Sequence, residues 1–231
     1  DILEEERPFR SPHHTGSTAA LVGGGSVPRP GEITLAHRGV LFLDEFPEFS
    51  RHVIEALRQP LEDGVITISR TAASIQYPAR FMLVAAQNPC PCGYADTRVK
   101  ECTCTPSHIL MYKKRVSGPV ADRIDLHVDV PHVDVEKLEA TGYEERSQAI
   151  RERVQAARDA QRKRFARDGI FTNSEMTSRH VEIHCSLDDE SKECIKHAYR
   201  TMKLSTRVYF RLLKVARTIA DLAGSPTIQF N

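Results

Sequence analysis

Four apolar residues closed by two adjacent carboxylates, Val40-Leu-Phe-Leu-Asp-Glu45, constrain this chain more than any other stretch. The run is too short for a helix, and with Gly39 before it the pattern reads as a buried parallel strand that delivers Asp44 and Glu45 to its carboxyl end. Open α/β sheets bind their ligands at that edge. Two acids there suit a nucleotide: the first can hold Mg²⁺, usually through water, and the second can polarise an attacking water. A strand that merely ends in a charged turn accounts for the same residues, so the stretch alone leaves both readings open.

The 231 residues suffice for one sizeable core and a smaller second domain. Lys and Arg (32) nearly cancel Asp and Glu (31), so any surface for a polyanion has to be local. No apolar run approaches the roughly 18 residues of a membrane span. The opening Asp-Ile-Leu-Glu-Glu-Glu has the wrong charge for a signal peptide, and the missing initiator Met reads as a fragment. Six cysteines, as two close pairs and two scattered residues, fit a reducing, cytoplasmic setting with metal or core roles better than a disulfide framework.

Residues 1 to 38 are polar and rich in Pro and Gly, and the glycines at 23 to 25 read as a flexible insert. A phosphate loop would need Gly, four residues, then Gly-Lys-Ser/Thr, and the sequence has no Gly-Lys pair. Adjacent His13 and His14 should point in divergent directions, which favours a surface or interface role over shared metal ligation. Val53, Ile54, Leu57 and Leu61 predict a helix from Arg51 to about Glu62, capped by Ser50. Alternating residues 65 to 69 and 73 to 77 predict a β-hairpin around the small basic tip Arg70-Thr-Ala. A second buried strand then runs from Arg80 to Asn88. If it neighbours the first, Asn88 sits beside Asp44 and Glu45, where its amide could orient a water; an Asn before Pro also starts turns.

Cys90, Cys92, Cys102 and Cys104 have the count of a closed tetrahedral zinc site. Their spacing, one residue within each pair, is tighter than the usual two to four, so free thiols and redox chemistry stay open. A helix follows from Pro106 to about Val116. Arg123 lies between Asp122 and Asp125, before a strand predicted at Leu126 to Val130, and a locally paired structural arginine is the plain reading. Beyond Val133 the pattern turns helical. Glu144 to Arg167 carries Ile150, Val154, Ala157 and Phe165 on one stripe, a further helix follows Ser186, and the last runs from Ser205 to Leu222 and stops at Gly224. Its stripe is Val208, Leu212, Val215, Ile219 and Leu222. Arg207, in its first turn, opposes the helix dipole, and a rule broken at one position points to a function or a partner there.

Taken together, these motifs resemble the AAA+ ATPase superfamily, in the magnesium-chelatase-like branch that includes the ComM/YifB proteins. The likeness rests on Arg7-Pro-Phe-Arg-Ser-Pro-His-His, Pro28-Arg-Pro-Gly-Glu-Ile-Thr-Leu-Ala-His, Val40-Leu-Phe-Leu-Asp-Glu-Phe, Asn88-Pro-Cys-Pro-Cys-Gly, Ser117-Gly-Pro-Val-Ala-Asp-Arg-Ile-Asp-Leu and Lys214-Val-Ala-Arg-Thr-Ile-Ala-Asp-Leu. It spans nearly the whole chain.

The resemblance implies an α/β class: a partial AAA+ αβα core, mostly parallel, with a β-hairpin insert over residues 1 to 132, then an α-helical lid over 133 to 231. It implies that Asp44 and Glu45 are the Walker B pair, on Mg²⁺ and water respectively, and that Asn88 is the sensor-1 residue. Arg123 becomes an arginine finger reaching a neighbouring subunit's nucleotide, and Arg207, with Arg217 a weaker candidate, the sensor-2 arginine. The family's phosphate loop and its Lon-protease-like domain are absent from these residues, which predicts that the fragment alone is inactive. The implied function is an ATP- and Mg²⁺-dependent ring, a hexamer, that remodels DNA as branch-migration helicases do. The alternatives are the ATPase subunit of a magnesium chelatase, acting on a porphyrin held by partner subunits, and a zinc-dependent binding module without catalysis.

Overall fold

In the computed structural model, residues 6–25, 28–69, 74–95, 100–116, 118–131 and 145–230 are described. The chain divides into two compact units, Asp1–His132 and Val133–Asn231. The first runs β1 (Phe9–Arg10), α1 (Thr18–Val22), β2 (Gly23–Gly24), β3 (Arg29–Pro30), α2 (Glu32–Leu35), β4 (Val40–Leu43), α3 (Arg51–Ala56), α4 (Arg58–Asp63), β5 (Val65–Ser69), β6 (Ser74–Pro78), β7 (Met82–Ala85), α5 (Pro106–Lys113) and α6 (Gly118–Ala121). The second holds α7 (Ser147–Arg164), α8 (Ser178–His184), α9 (Asp189–Thr201) and α10 (Thr206–Leu222).

The apolar run forms the middle strand of a parallel sheet ordered β1-β4-β7, with Val40 opposite both Phe9 and Met82, and Leu43 opposite Ala85. Alternation along β4 sends Leu41 and Leu43 into a core with Leu21, Ile33, Val53, Ile54, Leu57 and Val120. The other face is open. Met82 is 58% and Val84 41% exposed, and Phe9, 64% exposed, stacks on Phe42 with ring centroids 6.3 Å apart. This corrects the expectation of a second strand buried like the first: β7 has a covered neighbour on one face only.

Local sequence explains the other elements of this unit, including two departures. The predicted helix from Arg51 is two, because Pro60 has no N–H to give Ala56 and its ring crowds that carbonyl, so the chain breaks at Leu57. Left-handed Gly64 (φ 68°) ends α4 and leads into the β5-β6 hairpin, which pairs Val65 with Pro78 and Ser69 with Ser74. Gln59 anchors that hairpin, donating to Thr67 Oγ1 at 3.0 Å and accepting from the Thr67 N–H at 3.2 Å. The basic tip at 70–73 lies outside the described residues. The glycine-rich stretch is packed where a flexible insert was expected. Gly23 (φ 98°) pairs with Pro30 in the β2-β3 hairpin, and a Cβ there would stand 2.5 Å from the Arg29 carbonyl oxygen.

The strand predicted at Leu126 to Val130 does not form. Its alternation is real, but among the described residues it pairs with no strand, and Leu126, Val128 and Val130 are 66%, 78% and 86% exposed.

The second unit is helical around Phe165, Met176, Val181, Cys185, Leu213, Ala220 and Ile228. Ser205 caps α10, accepting from the Val208 N–H, and left-handed Gly224 follows its end. The buried stripe is Leu213, Arg217, Ala220 and Asp221, whereas Leu212, Ile219 and Leu222 are exposed, the reverse of the expected face. Of the stripe expected on α7, Ala157 and Phe165 are buried, with Gln161 beside them, whereas Ile150 and Val154 are exposed. Arg217 replaces an apolar anchor. Only 1% exposed, it donates from Nε to Asp221 at 3.0 Å and to the carbonyls of Pro226 and Ser225. Arg164 holds the same carboxylate with two hydrogen bonds, and Asn173 Nδ2 donates to it at 2.8 Å. Among the described residues no helix is long and apolar enough to cross a membrane.

Candidate nucleotide site and thiol cluster

At the carboxyl end of β4 the chain turns within one residue. Glu45 has left-handed backbone angles (φ 51°, ψ 43°), uncommon for a residue with a Cβ. Hydrogen bonds on both sides hold the turn: Asp44 Oδ1 accepts the Glu45 N–H at 2.8 Å, the Phe46 N–H donates to the Ala86 carbonyl at 2.9 Å, and the Glu48 N–H donates back to Glu45 O at 2.7 Å. Phe46 and Pro47 are buried beneath, so two exposed carboxylates stand on a fixed base. Strain kept at a sheet edge beside acids is a common mark of a functional site.

Asn88, exposed three residues past β7, lies at the same carboxyl edge as Asp44 and Glu45 because β4 and β7 are parallel neighbours. Its backbone hydrogen-bonds the hydroxyl of buried Tyr112 on α5; burial and Glu48 hold that phenol above its ordinary value. Arg115, just beyond α5, donates to Glu48 at 2.6 Å. Two of the chain's contacts therefore tie α5 to the segments carrying the acids and the amide.

His14 joins this group unforeseen. Its Nδ1 lies 3.0 Å from Glu45 Oε2, and its ring meets Phe49 edge-on. The two histidines also do not diverge as expected: their ring centroids are 4.2 Å apart, and His13 Nδ1 bonds Thr15 Oγ1 at 2.9 Å. β1 runs parallel to β4, so the turn that follows Arg10 carries His14 to the edge where Glu45 stands.

Arg123 is held within its own unit. Its Nε donates to Glu62 Oε2 at 3.1 Å, and its side chain is 14% exposed. The acid comes from α4, and the sequence reading had named only the flanking Asp122 and Asp125. A groove of about 460 Å³ beside it, lined in part by Glu55, Arg58, Gln59, Glu62 and Thr67, does not include the acid pair. Arg207 is exposed on the first turn of α10, in the second unit, and Arg217 is committed to Asp221.

The four cysteines after Asn88 converge, their sulfurs all within 4.8 Å of one another. Cys90 Sγ is 3.3 Å from Cys92 Sγ and 3.7 Å from Cys102 Sγ, and the last two are 3.6 Å apart. Cys90 is buried and also accepts the Ala95 N–H at 3.2 Å. The Tyr94 N–H, outweighing desolvation, pulls the Cys92 thiol down to about 5. Cys185 is buried in the core of the second unit, and Cys194 is exposed.

Residues 2–138 match the family model "Magnesium chelatase, subunit ChlI", and residues 144–231 match "Magnesium chelatase, subunit ChlI C-terminal". The chain belongs to the magnesium-chelatase-like family. Its parallel sheet with helices and its helical second unit are those of a partial AAA+ fold. Among relatives, it is 48% identical over 226 residues to Competence protein ComM of Haemophilus influenzae, covering 97% of this chain and 43% of that one. It is 47% identical over 224 residues to the YifB protein of Escherichia coli, covering 96% and 43%. Magnesium-chelatase subunit ChlI of Cyanophora paradoxa is 37% identical over 70 residues, 30% of this chain and 20% of that one. The chain thus spans less than half the length of the ComM and YifB relatives.

Proposed function

We propose that this chain is part of an ATPase in which Asp44 holds Mg²⁺ and Glu45 activates the attacking water, with Asn88 orienting that water. The observation that carries the reading is the rigid turn at the end of β4, which presents two adjacent exposed acids at the carboxyl edge of a parallel sheet, next to the strand that leads to Asn88. That donor set fits a hydrated Mg²⁺, a hard cation that takes oxygen ligands and keeps its waters. When bound, the ion would neutralise charge that develops on the phosphates. In this reading the residue that moves a proton is Glu45, and the support for it is an exposed carboxylate steadied by His14 at 3.0 Å.

Within this reading Arg123 serves the nucleotide of a neighbouring subunit and Arg207 comes from the lid, which requires a ring, a hexamer in the resemblance already drawn. DNA is the substrate favoured for the whole protein. Its support is the likeness to a competence protein over 97% of the chain, against 30% for the chelatase subunit, the alternative in which the substrate is a porphyrin held by partner subunits.

The test is Glu45→Gln in the complete protein. ATP binding should persist while hydrolysis slows by at least about 10²-fold, the scale of a positioned acid-base group. Unchanged turnover would remove Glu45 from the chemistry. Hydrolysis indifferent to single-stranded and branched DNA would remove DNA while leaving the ATPase in place.

A further inference from the structure

We propose that Cys90, Cys92, Cys102 and Cys104 bind one zinc ion as a closed structural site. An ion at the centre of a tetrahedron, with Zn–S bonds of about 2.3 Å, sets neighbouring sulfurs about 3.8 Å apart. The three Sγ separations of 3.3, 3.7 and 3.6 Å are close to that edge, and Cys104 completes a group confined within 4.8 Å. Four mutually close sulfurs do not sort into two bonded pairs, as disulfides would require. A cluster of several irons would spread its cysteines over different metal atoms, and so further apart than a single ion does.

The surroundings treat these sulfurs as acceptors. The Ala95 N–H points to Cys90 at 3.2 Å, and the N–H groups of Tyr94 and Thr103 point to Cys92. Backbone donors aimed at sulfur are what metal-bound thiolates need around them. Loading the site converts Zn²⁺ and four Cys–SH into Zn(S–Cys)₄²⁻ and four protons, with no oxidant or reductant. With four protein ligands no position stays open for water, so the ion's role is to hold structure.

What it holds follows from the chain path. Cys90 comes two residues after Asn88. Cys104 immediately precedes Thr105, the cap whose Oγ1 accepts the His108 N–H and starts α5. The same helix returns Tyr112 to the Asn88 backbone. One ion would therefore close a circuit from Asn88 through the four sulfurs and α5 back to Asn88.

The complete protein, purified under reducing conditions without added metal, should contain about one zinc per chain, and X-ray absorption should show four sulfurs at about 2.3 Å. Four of its thiols should resist a thiol reagent until a chelator is added. Cobalt in place of zinc should give the intense visible bands of a tetrahedral thiolate site, a readout that needs no variant. Cys90→Ser with Cys102→Ser should lose the metal, and chelation of the unaltered protein should speed hydrogen exchange between Asn88 and Tyr112. Absence of zinc with all four thiols reactive, iron in its place, or zinc held by fewer than four sulfurs would each overturn the proposal. None of these measurements involves ATP, so the zinc site and the ATPase reading stand or fall separately.

Discussion

His14 Nδ1 and Glu45 Oε2 are 3.0 Å apart, so the carboxylate proposed to accept a proton from water is already held by a ring from the turn that follows β1, the strand on the other side of β4. A group whose catalytic value lies in its position loses much of it when its support goes, and a misplacement of about 1 Å can cost about 10²-fold. His14→Ala in the complete protein should therefore slow ATP turnover by about tenfold or more, with nucleotide affinity unchanged. Steady-state kinetics beside an ATP titration would show this, and turnover within twofold of the unaltered protein would discard the role.

Arg123 must leave Glu62 if it is to serve another subunit. Glu62 is 39% exposed but Arg123 only 14%, and the guanidinium also donates to the Pro119 carbonyl, so a neighbouring subunit's nucleotide has to replace both of these partners. Rings mixed from Arg123→Ala and Glu45→Gln subunits should regain part of the hydrolysis that each lacks alone, because some interfaces then join an intact Glu45 to an intact Arg123. Verified mixed rings that remain inactive would place the arginine in its own subunit's structure.

Asp221 ties acid stability to one carboxylate. Burial raises its proton affinity, but the hydrogen bonds from Arg164 and Asn173 and the charge of Arg217 outweigh that and hold its pKa below the ordinary value. The folded state thus binds its proton less readily than the unfolded state. Its stabilisation is full above the unfolded carboxylate value of about 3.9 and fades as pH falls through the lower folded value. Asp221→Asn should cost about 3 kcal/mol near neutral pH, since buried Arg217 and partly buried Arg164 lose their counter-charge, and should flatten this part of the acid limb. Denaturant titrations from pH 7 to pH 3 would measure both, and a loss under about 1 kcal/mol would mean the arginines find other partners.

The acid-bearing strand was legible because its signal is local: an apolar run with a charged end fixes burial, length and edge together. The thiol group was legible by count, although its spacing argued against it, because convergence of 90–92 with 102–104 depends on the intervening path. Other features depended on partners far along the chain. Leu126, His127 and Val128 alternate as a strand does, but a strand exists only where another backbone lies beside it. On α10 the helix offers apolar residues on two sides, and Arg217, which pattern alone places outside, goes in because Asp221 lies one turn away to receive it. The place of His14 beside Glu45 was not legible because β1 has two residues, too few to leave a periodic trace.

The Arg217 side chain bridges the final turn of α10 and the segment after it, bonding Asp221 within the helix and the carbonyls of Ser225 and Pro226 beyond. The distance from its Cα to those carbonyls works as a ruler laid across the helix terminus. Gly224 permits the chain to turn there, but the ruler sets how far the turn lies from Arg217. One residue added between 217 and 221 would swing Asp221 around the axis by about 100° and leave the guanidinium facing a backbone that no longer matches its reach. Length variation should therefore not be tolerated between Arg217 and Ile228, whose side chain lies in the core of the second unit and whose backbone bonds Ser186 and Asp188.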